Sequence, residues 1–547
     1  MQIDFSIISE NLANTYGDAA CIVNIERERR YSFREYHLLT NRIVNMMHTR
    51  LDLKRGDTWL GILNNDNLSL LSQFVAFKGE ACACYTNTTD TLEDQARQLD
   101  LVKPKVVFIE ADLLATHYAL LKERGLRIVS MDPAPRGFPG VLDFWTLMKR
   151  ASAANPNVLH DDRDDCVYLR FTGGTTGAAK AVMYSIDNWM ATKDLHYATP
   201  DCIPVGAARL LHFGMISHAS GIVVPPIMFK GGCNITMNDR NLVTWCRAVE
   251  REKVSASLMV PSMLYRLLEA PEARDFDLSS LQTMYYGASP ISPSKLKQLI
   301  ARFGNIFVQL YGSSEHSSAV AFLAREDHLI DEGGDESHLA SAGHVTPGVE
   351  VQIVDGQGRP VPQGRDGEIW IRSRAISMGY LHAPEKTAAE FCNGYWKSGD
   401  FGRIDANGYL YVLDRVKDTI ICNDRKVYPS QVEAALSSHP QVLMAAVVGI
   451  PDARCGESVH AEVLALPGES IELEELRGFL AKRLPRNSLP RTITIATSIP
   501  LSPVGKVLRR AVRESCLRSG SAAAAKKSGP STKRAPAMPK KPAVGKH

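Results

Sequence analysis

Between Ser279 and Gly312 the chain spells strand, helix and strand in turn, and this unit narrows the possible folds more than any other stretch. LQTMYY is a strand-like run, PSKLKQLIARFG is an amphipathic helix opened by proline and closed by glycine, and NIFVQLYG is a second strand-like run. Two strands joined through a helix pair in parallel, so the unit predicts an α/β sheet. Ser255 to Val260 followed by PSMLYRLLEA repeats the theme. Upstream, Tyr31 to Arg50 has helical apolar spacing, and Trp59 to Leu63 and Lys105 to Ile109 read as short strands. From Gly348 to Trp370 the pattern turns to short alternating strands with glycine and proline turns, which predicts a β-rich subdomain.

At 547 residues the chain exceeds the roughly 250–300 residues that one hydrophobic core sustains. We expect a large α/β lobe of layered sheets over residues 1–413, a hinge at 414–417 and a small mobile α+β lobe over 418–516. The small lobe carries helix-like Pro429 to Ser437 and strand-like VLMAAVVGI. Residues 517–547 hold eight Lys or Arg and no acidic residue, so with +3 overall the remainder is at −5. That tail lacks large apolar residues and is expected to be disordered. It is either a solvated tail or a contact for an anionic partner. The most apolar stretch, Gly221 to Phe229, is broken by Pro225 and Pro226, whereas a transmembrane span needs about 20 apolar residues. The N-terminus, MQIDFSIISE, lacks the basic-then-apolar order of a secretory signal, which predicts a cytoplasmic protein. Eleven scattered cysteines, with Cys82 and Cys84 alone close together, give neither a zinc motif nor a disulfide framework.

The strongest local signal is Phe171-Thr-Gly-Gly-Thr-Thr-Gly-Ala-Ala-Lys180, after the strand-like VYLR. Glycines let backbone approach a polyphosphate, hydroxyls donate to it, and Lys180 adds positive charge. It is not a Walker loop, because no G-K-[ST] is present. The plainer reading is a glycine turn with a surface lysine. Three hydroxyls, three glycines and a lysine in nine residues favour the phosphate cradle.

With this loop in place, the chain resembles the adenylate-forming superfamily of acyl-CoA synthetases, firefly luciferase and peptide-synthetase adenylation domains, in order from about residue 30 to residue 510. Gln309-Leu-Tyr-Gly-Ser-Ser-Glu315 is similar to the family's Q-x-Y-G-x-T-E, with Ser314 for threonine. The resemblance implies that Thr172, Gly173, Gly174, Thr175, Thr176, Gly177 and Lys180 hold ATP. Gly287 and Ala288 in the G-A-x-P turn, together with Tyr311, Gly312 and Ser314, would hold the adenine side, and Glu315 would hold Mg²⁺. Gly367 to Arg372 with Met378-Gly-Tyr380 matches an architectural stretch. Trp396-Lys-Ser-Gly-Asp400 resembles W-[FY]-x-T-G-D, and a carboxylate such as Asp400 suits the vicinal hydroxyls of a ribose. Asp414-Arg-Val-Lys-Asp418 implies Arg415 on ribose or phosphate and Lys417 as the hinge. Pro500-Leu-Ser-Pro-Val-Gly-Lys506 implies Lys506 as the adenylating lysine, and His218 heads the acyl-pocket segment. Lys506, Glu315 and His218 form the expected catalytic set. Taken alone, each has a plainer reading: a solvated helix start, a surface glutamate and a packed core histidine.

The resemblance implies activation of a small carboxylic acid by ATP and Mg²⁺, giving acyl-adenylate and pyrophosphate, then transfer to coenzyme A. Loading of an acyl carrier protein's pantetheine arm is the alternative acceptor, and a catalytically silent binding protein is the rival from another class. Two departures stand out. Gly173 and Ala179 replace the usual hydroxyl and proline without removing the cradle. Asn423 and Asp424 replace a glycine or glycine pair beside the pantetheine path, which bears on thioester formation and not on adenylation.

Overall fold

The computed structural model describes the chain except for residues 173–179, 200, 201, 205, 331–333, 424, 453, 503, 504 and 528–547, and for the side chains of 519–527. The architecture is layered α/β. One eight-stranded sheet runs in the order Gly379–Tyr380, Lys180–Tyr184, Tyr168–Thr172, Cys82–Thr86, Thr58–Ile62, Val106–Ile109, Arg127–Ser130 and Leu142–Asp143. Its pairings are parallel from Tyr168–Thr172 onward, and the first two are antiparallel. Val106–Ile109 reads VVFI and is buried on both faces, as a central parallel strand covered by helices must be.

A nine-stranded sheet holds the unit from which the fold was read. Thr283–Gly287 and Phe307–Tyr311 pair in parallel, joined by the helix Pro293–Phe303. That helix stops where Gly304 takes a φ of +82°. Ala256–Met259 lies parallel on the other side of Thr283–Gly287 and feeds the helix Pro261–Glu269. The helical spacing upstream becomes Phe33–Leu51, started by a full capping box between Ser32 and Glu35.

The β-rich stretch is an antiparallel five-stranded sheet that includes Glu350–Val354, Gly367–Arg372, Tyr395–Ile404 and Leu410–Arg415. A second five-stranded sheet is built from Ile420–Cys422, Arg425–Val427, Val442–Asp452, Gly456–Ala465 and Thr492–Ala496. Val432 and Leu436 of the helix Pro429–Ser437, with Leu476 and Leu480 of a second helix, cover one face of it.

One expectation is corrected. The tail expected to be disordered from 517 instead continues a helix, Arg509–Lys527. Val512 anchors that helix on the far face of the C-terminal sheet. The run Ala522–Ala525 has the highest intrinsic helix propensity, so backbone order persists without further large apolar residues. The rest of the basic tail lies outside the described residues. Among the described residues, no helix is long and apolar enough to cross a membrane.

Candidate active site

Thr172 and Lys180 are register partners at the facing ends of two antiparallel strands. Gly173, Gly174, Thr175, Thr176 and Gly177 lie outside the described residues. Lys180 points at a cluster that sequence reading only half anticipated. Its Nζ is 3.6 Å from Glu390 and sits 5.1 Å from the centre of the Tyr380 ring. Lys386 reaches the same carboxylate at 3.7 Å. Burial, and then the neighbouring Lys386 ammonium, push the Lys180 ammonium down. Two cations crowded over one carboxylate are an attractive seat for an anion.

Tyr380 links this cluster to Glu315. Its hydroxyl lies between Glu315 Oε1, at 2.9 Å, and a carboxylate oxygen of Glu390. Ser313 Oγ donates to Glu315 Oε2 at 3.0 Å, and the Glu315 carbonyl accepts from Ser377 N at 2.9 Å. Glu315 is thus an oriented hard oxygen ligand facing lysines, which fits Mg²⁺ carried by a polyphosphate. The Ser314 carbonyl is fixed by the Tyr184 hydroxyl.

The Gly287–Ala288 turn is sterically determined. A Cβ on Gly287 would stand 2.1 Å from the carbonyl oxygen of Leu310, its partner on the adjacent parallel strand. Ala288, next in the chain, takes a φ of +67°. Tyr311 donates to Asp400 Oδ2 at 2.7 Å. Asp400 is buried, which pushes its carboxyl up; Arg415 and the Tyr311 bond pull the other way. Arg415 is the cross-strand partner of Asp400 and lies 3.4 Å from Oδ1. Antiparallel pairing therefore brings together two residues fifteen positions apart.

Lys506 joins this group from the far end of the chain. Ser502 N donates to the Lys506 carbonyl at 2.7 Å and Lys506 N donates to Ser502 Oγ at 3.1 Å, closing a tight turn. The turn is docked: Ser262 Oγ, at the start of the helix Pro261–Glu269, donates to the Gly505 carbonyl at 2.8 Å. Desolvation by the surrounding protein, then Arg415, push the Lys506 ammonium down to about 8, against the pull of Asp400 and Glu315, although the residue keeps an exposed surface. Water still reaches the side chain and screens these fields.

Arg509 fixes the segment behind the turn. It donates to Asp414 Oδ1 at 2.7 Å and to Glu433 Oε2 at 2.7 Å, and Asp414 Oδ2 accepts from Ser430 N at 2.8 Å. Lys417 lies in the short 3-10 turn Val416–Asp418, between Asp414 and the C-terminal sheet. Asn423 takes a φ of +51°, the left-handed geometry open to asparagine, and Asp424 lies outside the described residues.

His218 stands apart from the carboxylates. Ser217 Oγ lies 3.0 Å from its Nδ1, and Asn87 Nδ2 lies 3.4 Å from its Nε2. Burial first, then Arg170, Lys506 and Arg240, push its pKa down to about 3, so the ring is neutral at physiological pH. It can shape a pocket or share one hydrogen bond, but it cannot act as a standing cation.

Arg170 was passed over by the sequence reading. It lies two residues before Thr172 and is 4% exposed. Its guanidinium carbon sits 5.9, 5.7 and 5.6 Å from the ring centres of Tyr168, Tyr184 and Trp189. Among the described residues no carboxylate pairs with it, and its Nε and Nη2 make no hydrogen bond of good geometry, the Tyr168 and Tyr184 hydroxyls being its nearest polar neighbours. Burying one charge costs several kcal/mol even after relaxation. A desolvated cation–π contact returns about 2 kcal/mol, so the rings offset only part of that cost. The available signal was a charge alternating with Tyr168 on an otherwise apolar strand.

The AMP-binding enzyme family matches residues 9–381, and the AMP-binding enzyme C-terminal domain matches residues 431–506. The chain is 33% identical over 423 residues to the medium/long-chain-fatty-acid–CoA ligase FadD8 of Mycobacterium tuberculosis, covering 76% of this chain and 72% of that protein. It is also 33% identical over 362 residues to the fatty acid–[acyl-carrier-protein] ligase ScoC of Streptomyces coeruleorubidus, covering 65% and 68% respectively. The structure is similar to that of the amide bond synthetase McbA from Marinactinospora thermotolerans, with a TM-score of 0.82 and 26% identity over 94% of this chain and 99% of that one.

Proposed function

The chain belongs to the AMP-binding enzyme family, within the adenylate-forming superfamily, and on that premise we propose that it activates a carboxylic acid with ATP and transfers the acyl group to coenzyme A. The observation that carries this reading is the docked turn. Gly505 is bonded to Ser262, and Lys506 shares one electrostatic neighbourhood with Arg415, Asp400 and Glu315.

Chemistry follows from these groups. The substrate carboxylate attacks the α-phosphorus of ATP, the α–β bond breaks, and pyrophosphate leaves with the electron pair. Such a displacement needs positioning and charge stabilisation more than a protein nucleophile. Lys506 meets the negative charge that builds on the carboxylate and α-phosphate. Lys180 and Lys386 receive the outer phosphates, and Asp400 accepts from the ribose hydroxyls. Tyr380 and Ser313 hold Glu315 as the ligand for Mg²⁺, which when bound neutralises polyphosphate charge.

In the second half-reaction a thiol attacks the adenylate carbonyl and AMP leaves. Lys506 must withdraw to admit the thiol, so residues 418–516 are proposed as a mobile lobe turning at Lys417 against residues 1–413. A carrier-protein pantetheine arm is the second acceptor, supported by the likeness to an acyl-carrier-protein ligase. Acid-dependent pyrophosphate release, followed by AMP release with and without coenzyme A, tests both steps. An absence of acid-dependent pyrophosphate release across aliphatic and aromatic acids would refute the first. AMP release stimulated by a phosphopantetheinylated carrier and not by coenzyme A would refute the acceptor.

A further inference from the structure

Arg170, Tyr168 and Trp189 form a buried cluster whose polar groups are incompletely matched. Arg170 Nε and Nη2, Tyr168 Oη and Trp189 Nε1 are all buried, and none makes a hydrogen bond of good geometry; the polar groups nearest the guanidinium are the Tyr168 and Tyr184 hydroxyls, which carry no charge to match it. The Tyr168 and Trp189 rings are 5.7 Å apart and both face the guanidinium. The arginine and indole groups only donate, and the hydroxyl can donate as well. Native interiors rarely leave such groups unmatched, so each calls for an account.

The cluster adjoins the site already described. Tyr184, whose ring also lies against the guanidinium, bonds the carbonyl of Ser314 beside Glu315. Strand alternation turns Tyr168 and Arg170 away from Leu169 and Phe171, which pack on the opposite face with Leu60 and Ile62. His218, heading the acyl-pocket segment, feels the charges of both Arg170 and Lys506.

We propose that Arg170 receives a second carboxylate carried by the acid substrate, so that the acids taken by this site are dicarboxylic. The inference rests on the acid-activation reading above. Charge decides the class. An alkyl chain offers no acceptor, and trapped water would satisfy donors without neutralising the cation. A carboxylate does both, because it accepts two parallel N–H bonds from a guanidinium. One carboxylate of the substrate then meets ATP near Lys506, and the other is held by Arg170 with Tyr168 and Trp189.

The test uses the full-length protein and length-matched pairs of straight-chain mono- and dicarboxylic acids. In acid-dependent pyrophosphate release, the best diacid should exceed its matched monoacid by at least tenfold in kcat/KM. Arg170→Met should lower the diacid-to-monoacid ratio by about 10²-fold. Tyr168→Phe, which keeps the ring and removes one hydroxyl, should lower it by several-fold and guards against a misfolded first variant. A thermal-shift titration without ATP separates this proposal from the adenylation reading. The diacids should raise the Tm of the parent and not of Arg170→Met, whether or not any acid is turned over. Monoacids preferred at every length, a ratio unmoved by Arg170→Met, or no diacid-dependent shift in the parent would each overturn the proposal and leave a cluster matched by water alone.

Discussion

Replacing Lys506 by alanine removes one cation from a site where charge develops, and the structure bounds the loss. A unit charge acting across 4 Å at an effective dielectric of 20 is worth about 4 kcal/mol. Losing a single preorganised charge stabiliser of this kind costs about 10²–10³-fold in rate. Since water reaches the side chain, the lower part of that range applies, and acid-dependent pyrophosphate release should fall about 10²-fold. ATP binding should persist, because Lys180, Lys386, Glu315 and Asp400 are untouched. The pH profile supplies a second reading of the same atom. The active form is the ammonium, and its pKa is pushed down to about 8. The parent rate should therefore hold below that value and fall about tenfold per pH unit above it. Lys506→Arg keeps the charge at all accessible pH and should lose this alkaline limb. A Lys506→Ala rate within threefold of the parent, or an alkaline limb that survives in that variant, would refute the role.

Lys417→Pro fixes φ near −65° and restricts Val416, so adenylation should be retained while thioester formation falls steeply, as single-turnover measurements of each step would reveal. Equal slowing of both steps would remove the two-arrangement mechanism. Gly287→Ala drives a methyl into the Leu310 carbonyl, and the Tm should drop by several degrees together with loss of ATP affinity, as read by calorimetry. Truncation after Arg518 should move the Tm by no more than about 2 °C, since Val512, the buried anchor of the last helix, remains. A fall of many degrees would mean that the helix beyond it is docked.

Much of this architecture was legible because its signals are local. Proline at the start and glycine after the end bounded Pro293–Phe303, and Pro429–Ser437 was readable over its full length. Motifs singled out Glu315, Asp400, Arg415 and Lys506, and the fold brings these four into one electrostatic neighbourhood. What escaped depended on residues meeting across the fold. Tyr380 was quoted as architecture, yet its hydroxyl bridges Glu315 and Glu390; Lys386 and Glu390 stand on a short helix with no motif of their own. Arg170 was masked by the glycine loop that follows it, since nothing local reveals that three rings close around a charge. The tail erred in the other direction: its composition has no means to bury itself, but alanine extends a helix already begun at Arg509.

Asp414 stands just before the proposed pivot, while Arg509 and Glu433 stand beyond it, so turning at Lys417 must part the first from the second. The clasp then behaves as a brake whose strength depends on the solvent. Dissolved ions weaken the attraction of the opened partners, and the parted Asp414 carboxylate gains hydration only in the turned arrangement. Raising the salt concentration should therefore speed the departure of Lys506 more than it disturbs the docked arrangement, shifting the slow step of turnover from lobe rotation toward chemistry. An enzyme tuned in this way would partition its adenylate between waiting and transfer according to the ionic strength around it.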